Sequence, residues 1–317
     1  MKKIFDFLFR RKPQAEAGQP VPPPPAPAAT APLDVPLTAP LSDLAADLHP
    51  IYYQRGRPGS PRLRVGHAQD VGKVRSHNED VLLAISSAIE GLIAQPAFGL
   101  FIIADGMGGH SLGERASAVA SRTIARELMA QLYLPHMINP DPDDTDRPSL
   151  NDVMRLALEH ANRAVASAAP DGGTTGTAAL LLGDRVTIAH VGDSRVYLIM
   201  PNSFEKLTRD HSLVERLQEL GQLSPEEAAA HPQKNVLYRA LGQGEGLEVD
   251  VTSYQLPVGA RLLLCSDGLW GYIPEDLLVR TARQARTPQD ACDQLVQAAN
   301  DAGGPDNISA IVVELAY

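Results

Sequence analysis

The stretch TAALLLGDRVTIAHVGDSRVYLIM, Thr177 to Met200, holds three apolar β-type runs separated only by Gly183-Asp184 and Gly192-Asp193-Ser194. Connections this short join antiparallel neighbours, because a parallel crossover needs roughly a dozen residues or more. The reading is an antiparallel meander through 177–182, 186–191 and 196–200, favoured over βαβ units. Working outward, further strand-like runs lie at Val81–Ile85, Phe98–Ala104, Arg261–Cys265 and Ile308–Val313. Helical periodicity fills the intervals. Leu112, Ala116, Val119, Ile124, Leu128 and Leu132 share one side of a predicted helix. A second runs from Leu150 to Ala168 behind Ser149, a capping residue that follows Pro148. A third covers Thr287 to Ala299, with Cys292, Leu295, Val296 and Ala299 facing inward. Strands, paired helices, strands and helices again make an α+β pattern, with sheets covered by helices on their outer faces.

Upstream the texture is different. Of the 26 prolines in the 317 residues, 12 fall between Pro13 and Pro58. A Pro/Ala-rich segment over 13–60 cannot bury enough apolar surface to offset its ordering entropy and is expected to be a spacer. Residues 1–12, MKKIFDFLFRRK, combine five basic side chains with three phenylalanines. They are too short in apolar length for a signal peptide, and Lys2 stands where myristoylation needs glycine. A helix docking on a membrane surface or a partner and an inert tail stand level as readings of this segment. The expected organisation is therefore a tail (1–12), a linker (13–60) and one domain (61–317).

The chain is 44% hydrophobic and carries a net charge of -10, which argues against binding nucleic acid backbone. Two cysteines, Cys265 and Cys292, form no disulfide framework and point to a reducing, cytoplasmic compartment. No apolar run approaches the roughly 20 residues that span a bilayer.

The chemical signal is a carboxylate at the end of one apolar strand after another. FGLFIIADG ends in Asp105, TIAHVGD in Asp193 and RLLLCSDG in Asp267, while Asp306 and the pair Glu79-Asp80 stand just before strands. Carboxylates beside buried strands are costly unless compensated. After position 60 there are 21 basic residues against 33 acidic ones, so side-chain pairing cannot serve them all. Oxygen-only donors suit Mg²⁺ or Mn²⁺ rather than zinc or copper. Gly106, next to Asp105, lacks a Cβ and leaves its carbonyl open to close approach by a cation.

Asp70-Val-Gly-x-x-Arg75-x-x-Asn-Glu79-Asp80, Asp105-Gly-Met-Gly-Gly-His110, Gly173-Thr-Thr, Gly192-Asp-Ser-Arg195, Ser266-Asp-Gly-Leu269 and Gly304-Pro-Asp-Asn307 occur in this order. Together they resemble the metal-dependent serine/threonine protein phosphatases of type 2C, the PPM family, in its bacterial form, over residues 62 to 317. The resemblance implies two stacked antiparallel sheets with helices on both outer faces. It implies that Asp105 bridges two ions, that Asp267 and Asp306 complete the first, and that the Gly106 carbonyl binds the second. Asp80 would serve the second ion directly or through water, with Glu79 behind it, and Asp193 would help to hold a third. Arg75 would bind phosphate, and 211–241 would form a flap beside the site. Met107 stands where animal members carry a histidine proposed as general acid, so the proton for the leaving group has no assigned donor, and nothing in the sequence aims His110 at the metals.

The implied activity is hydrolysis of phosphoserine and phosphothreonine in proteins by a water activated between two Mn²⁺ or Mg²⁺ ions. The expected partners are phosphoproteins, a Ser/Thr kinase and its clients. A monomer is expected, cytoplasmic or held at the inner membrane surface by residues 1–12. Two alternatives are a partner-switching phosphatase acting on an anti-sigma antagonist and a phosphoprotein binder without turnover. Intact Asp105, Asp267, Asp306 and Arg75 argue against the binder. Other phosphatase chemistries fit poorly. The cysteines lack an arginine six positions on, and Asp141-Pro-Asp-Asp-Thr145 spells DxDxT without an apolar strand before it. Gly242-x-Gly-x-Gly246 is too short for a dinucleotide loop.

Overall fold

A computed structural model describes residues 62–88, 96–109, 111–135, 148–244 and 246–316. The tail 1–12, the whole linker 13–60, Pro61, His110 and the Asp141–Thr145 motif lie outside the described residues. The strands are β1 (Arg62–Asp70), β2 (Asp80–Ser87), β3 (Phe98–Met107), β4 (Gly173–Thr174), β5 (Gly176–Leu182), β6 (Arg185–Val191), β7 (Arg195–Ile199), β8 (Phe204–Lys206), β9 (Asp250–Gln255), β10 (Arg261–Cys265) and β11 (Ile308–Ala316). One sheet has the order β1-β11-β10-β7-β8. The other runs β2-β3-β5-β6-β9, with β4 added against β3. Every pairing is antiparallel.

Strand alternation divides the buried side chains among three cores. Leu100 and Ile102 of β3 pack with Ala178 and Leu180 of β5 beneath two helices, α1 (Ser111–Leu128) and α2 (Leu150–Ala168). Phe101 and Ile103, one residue out of phase, meet Leu262 and Leu264 of β10 and Ile311 and Val313 of β11 between the sheets. Leu263 and Cys265 of β10 face outward again, under two C-terminal helices, Glu275–Gln284 and Pro288–Asp301. The result is the expected α+β sandwich with helices on both outer faces. Strands buried on both faces read as continuous apolar runs even though they are antiparallel.

Two expectations need correction. The meander through 177–200 is broken: β5 and β6 form a hairpin, but β7 belongs to the other sheet. The chain changes sheet at Gly192, whose φ of +114° an L side chain rarely adopts. The crossover lifts Asp193 to the shared end of both sheets. Ser149 precedes α2 as expected, yet its side chain makes no capping bond. The periodicity over 112–132 is an α-helix to Leu128 that widens into a π turn over Met129–Tyr133. Among the described residues no helix is long and apolar enough to cross a membrane.

Candidate metal centre

The ends of β3 and β10, the start of β11 and the β6–β7 crossover meet at one edge of the sandwich. There a cavity of about 230 Å³ is lined by Arg75, Glu79, Asp105, Gly106, Asp193, Asp267 and Asp306, with Thr175, Asn235 and Asn307 among the remaining walls. Asp105 is fixed through its backbone. Its N–H donates to Thr175 Oγ1 (2.9 Å), and its carbonyl accepts from Thr174 Oγ1 and the Thr175 N–H (2.8 Å each). Thr175 Oγ1 in turn lies 2.9 Å from Ser194 Oγ, tying β3 to the crossover. Gly106 has a steric reason for lacking a side chain: a Cβ would lie 2.3 Å from the Gly113 carbonyl oxygen and 2.6 Å from that of Glu79. The first turn of α1 can therefore close on the strand end.

Asp80 differs from its sequence neighbours in not lining the cavity. It is buried, and its Oδ2 accepts hydrogen bonds from Ser266 Oγ (2.8 Å) and Ser309 Oγ (2.7 Å). Ser266 Oγ also accepts from the Ser309 N–H (3.0 Å), and Ser309 Oγ accepts from Gln69 Nε2 (3.0 Å). Asp80 thus ties the six-stranded sheet to the five-stranded one, while Glu79 turns toward the cavity.

Asp306 lies against Arg75, with Nη2 2.9 Å from Oδ2. Burial opposes the Arg75 charge, but the Asp306 bond and the charges of Asp306, Glu79 and Asp267 together outweigh it and hold the guanidinium more firmly protonated than usual. The loop that carries Arg75 is pinned by Asn307, which donates to the Val71 and His77 carbonyls (2.9 and 2.8 Å) and accepts from the Glu79 N–H (2.8 Å). Trp270 Nε1 donates to the Asp193 carbonyl (3.0 Å), and the Arg195 guanidinium stacks on that indole at 3.5 Å. The motifs contained Thr174, Thr175, Asn307 and Arg195, but their roles as clamps depend on long-range contacts that no local pattern displays.

The cavity is electrostatically strained. Burial, then the charges of Asp80 and Asp267, push Asp105 well above the usual carboxylate range. Burial and Asp267 do the same to Asp193. Burial and Asp306 lift Asp267 to about 6. Burial also lifts Asp80 to about 7, despite its two serine bonds. One arginine against this many carboxylates leaves negative charge uncompensated, and oxygen-only donors match a hard divalent cation. The donor set therefore fits such ions. Among the described residues no three His, Cys, Asp or Glu side chains form a finished coordination cluster, and Asp306 is drawn onto Arg75 instead. Both cysteines are free and buried, and burial lifts the Cys292 thiol to about 12, which suits neither to nucleophilic work.

Comparison with known proteins gives the same direction. A family model described as protein phosphatase 2C matches residues 88–310. The serine/threonine phosphatase stp of Listeria monocytogenes is 35% identical over 254 residues, 77% of this chain and 93% of its own length. The protein phosphatase PhpP of Streptococcus pneumoniae is 33% identical over 261 residues, 80% of this chain and 98% of its own. Among solved structures, the Mycobacterium tuberculosis serine/threonine phosphatase PstP/Ppp superposes with a TM-score of 0.67 at 32% identity, covering 80% of this chain and 99% of that one. The catalytic domain of PstP in complex with two manganese ions gives 0.65 at 31%, with the same coverage.

Proposed function

The chain belongs to the protein phosphatase 2C family, and from that premise we propose that it removes phosphate from phosphoserine and phosphothreonine in proteins at the cavity described above. The activity is metal-dependent protein dephosphorylation, as the family and the manganese-bound relative support. One observation carries the assignment of the site: five carboxylates and one arginine from separate parts of the chain line a single cavity.

In this reading Asp105, Asp267 and Asp306 would hold a first divalent ion, and Asp105 with the Gly106 carbonyl would hold a second. Asp193 would contribute to a third. The bound Mn²⁺ or Mg²⁺ supplies a water acidic enough to act as nucleophile near neutral pH, and positive charge beside the phosphoryl oxygens. Arg75 exchanges Asp306 for two phosphoryl oxygens, which its planar fork matches, and aligns the phosphorus for in-line attack. Thr174 and Thr175 keep Asp105 in register. Asp80 braces the two sheets behind Asp105 and adds negative charge that deepens the attraction for cations. A Ser/Thr kinase supplies the phosphoproteins consumed here, and residues 1–12 recruit the domain to a membrane surface or a partner.

Turnover of a phosphothreonine peptide with added Mn²⁺, before and after chelation, tests the proposal. Activity should vanish on chelation and return with the ion. Turnover retained after thorough chelation, or full activity in Asp105→Ala, overturns it.

A further inference from the structure

Beside the carboxylate-lined cavity lies a second one of about 350 Å³, which shares Asn235 and Asp267 with it as walls. Its roof is formed by two short helices, Leu213–Glu219 and Pro225–Ala229. Its apolar lining comes from Val214, Pro225, Ala228, Trp270 and Tyr272.

Most of the charged groups around it are engaged with one another. Arg195 is gripped by Asp210 through Nε (3.0 and 3.1 Å) and Nη2 (2.6 Å), and its guanidinium lies on Trp270. Asp210 and Glu215 each stand 3.6 Å from Lys206 Nζ. Lys234 Nζ sits 5.6 Å from the centroid of the Tyr272 ring. A second phosphate would need a free cation at hydrogen-bond distance, and a basic side chain a free carboxylate. Arg195 and Asp210 are spent on each other, Asp267 also walls the carboxylate cavity, and Lys234 is exposed, whereas an aliphatic group would meet indole, phenol ring and methyl surfaces. The volume falls within the range of pockets built for small organic groups.

We propose that this cavity is a substrate subsite that takes an aliphatic side chain flanking the phosphorylated residue of a protein substrate. The proposal rests on the phosphatase reading above. The shared wall puts the two cavities side by side, so a peptide whose phosphate enters one presents a neighbouring side chain to the other. Preference then arises from burial of that side chain against Trp270, and the enzyme selects for apolar sequence beside its phosphosites.

Phosphothreonine peptides with leucine or alanine at each flanking position in turn test this with the Mn²⁺-loaded full chain. At one position kcat/KM should favour leucine by about tenfold, the scale of a small apolar pocket. Ala229→Phe, at an exposed residue that lines the cavity, should erase that preference, while Ala229→Ser keeps it. Turnover of p-nitrophenyl phosphate should be the same in all three proteins. Trp270 is the sole tryptophan, so its fluorescence reads the cavity whether or not turnover occurs. Unphosphorylated leucine peptide should shift it saturably, and the alanine peptide should not. No preference at any position, a preference that survives Ala229→Phe, or no leucine-dependent fluorescence shift overturns the subsite. Loss of all p-nitrophenyl phosphate turnover in the unmutated chain overturns the phosphatase reading instead.

Discussion

Asp80 and Asp105 are direct cross-strand partners in the β2–β3 ladder, yet only Asp105 faces the cavity. Asp80 gives its Oδ2 to Ser266 and Ser309 of the opposite sheet. Two carboxylates in register therefore divide the work: one addresses the site, and the other holds together the two sheets whose ends form it. The division has a physical source. A buried carboxylate needs donors, and the opposed sheet supplies two hydroxyls at the one place where both sheets end together.

Removing the Asp80 carboxylate should therefore be a stability lesion before it is a catalytic one. Asp80→Ala leaves two buried serine hydroxyls without their acceptor, at about 1–3 kcal/mol for each group stranded. Asp80→Asn keeps an acceptor oxygen of the same shape and should cost much less. Urea denaturation of both variants should separate them by at least about 1 kcal/mol. Equal loss in the two would mean that the charge, and not the hydrogen bonds, matters.

Arg75 and Asn307 should act as one unit. Asn307 fixes the loop from Val71 to Glu79, and the loop aims Arg75. Arg75→Ala should lower kcat/KM for a phosphopeptide by roughly 10²-fold or more, the scale of losing a charged transition-state contact. Asn307→Ala should reproduce much of that loss. The double variant should fall well short of the product of the two, because removing an arginine already misplaced changes little. Multiplicative losses in the kinetic cycle would show that Asn307 acts elsewhere.

His190 gives the fold an acid limit. Its Nε2 donates to the Arg209 carbonyl (3.0 Å), which leaves Nδ1 to accept from Thr177 Oγ1 (2.9 Å). Burial and the neighbouring His211 lower its pKa to about 4, against smaller opposing contributions from Asp210 and Asp250. A free histidine titrates near 6.5, so between those values the unfolded chain binds the extra proton and the native one does not. Stability from this group is complete above about pH 6.5 and drains away as pH falls toward 4, by about 3 kcal/mol in all. Denaturation midpoints across that range should fall with acid in the unmutated chain, and less steeply in His190→Gln. Parallel curves for the two proteins would remove His190 from the account.

Much of this architecture was legible because its central strands are buried on both faces. β3, β5, β6, β10 and β11 all appear as apolar runs for that reason. β1, β8 and β9 lie at sheet edges, where solvent allows RLRVGHAQD or DVTSYQ, and no such run announces them. The strand-end aspartates were visible as a pattern, but the sheet change at Gly192 that lifts Asp193 to the site was not, since a short turn looks the same within a sheet or between two. The bond from Trp270 to the Asp193 carbonyl spans 77 positions and has no local signature.

Asp193 should count the ions. It lines the cavity with Asp105 and Asp267 but approaches from the crossover rather than from a strand end. Calorimetric titration with Mn²⁺ should give three sites in the unmutated chain and two in Asp193→Ala, with the tighter pair little changed. Three sites in the variant would place the third ion on other donors.

The amino-terminal 60 residues should be dispensable for chemistry. β1 begins at Arg62 and pairs along its length with β11, from Arg62 opposite Ala316 to Asp70 opposite Ile308. A chain starting at residue 61 keeps that strand and should match the full chain in Tm and in phosphopeptide turnover. What it should lose is recruitment. Lys2, Lys3, Arg10, Arg11 and Lys12 with Phe5, Phe7 and Phe9 combine basic charge with apolar surface, the pairing that binds anionic membranes. Sedimentation with vesicles containing phosphatidylserine should pull down the full chain, and less of it as salt rises, but not the truncated one. Equal sedimentation of both would assign membrane contact to the domain or to nothing, and a fall in Tm on truncation would show that the first 60 residues support the fold.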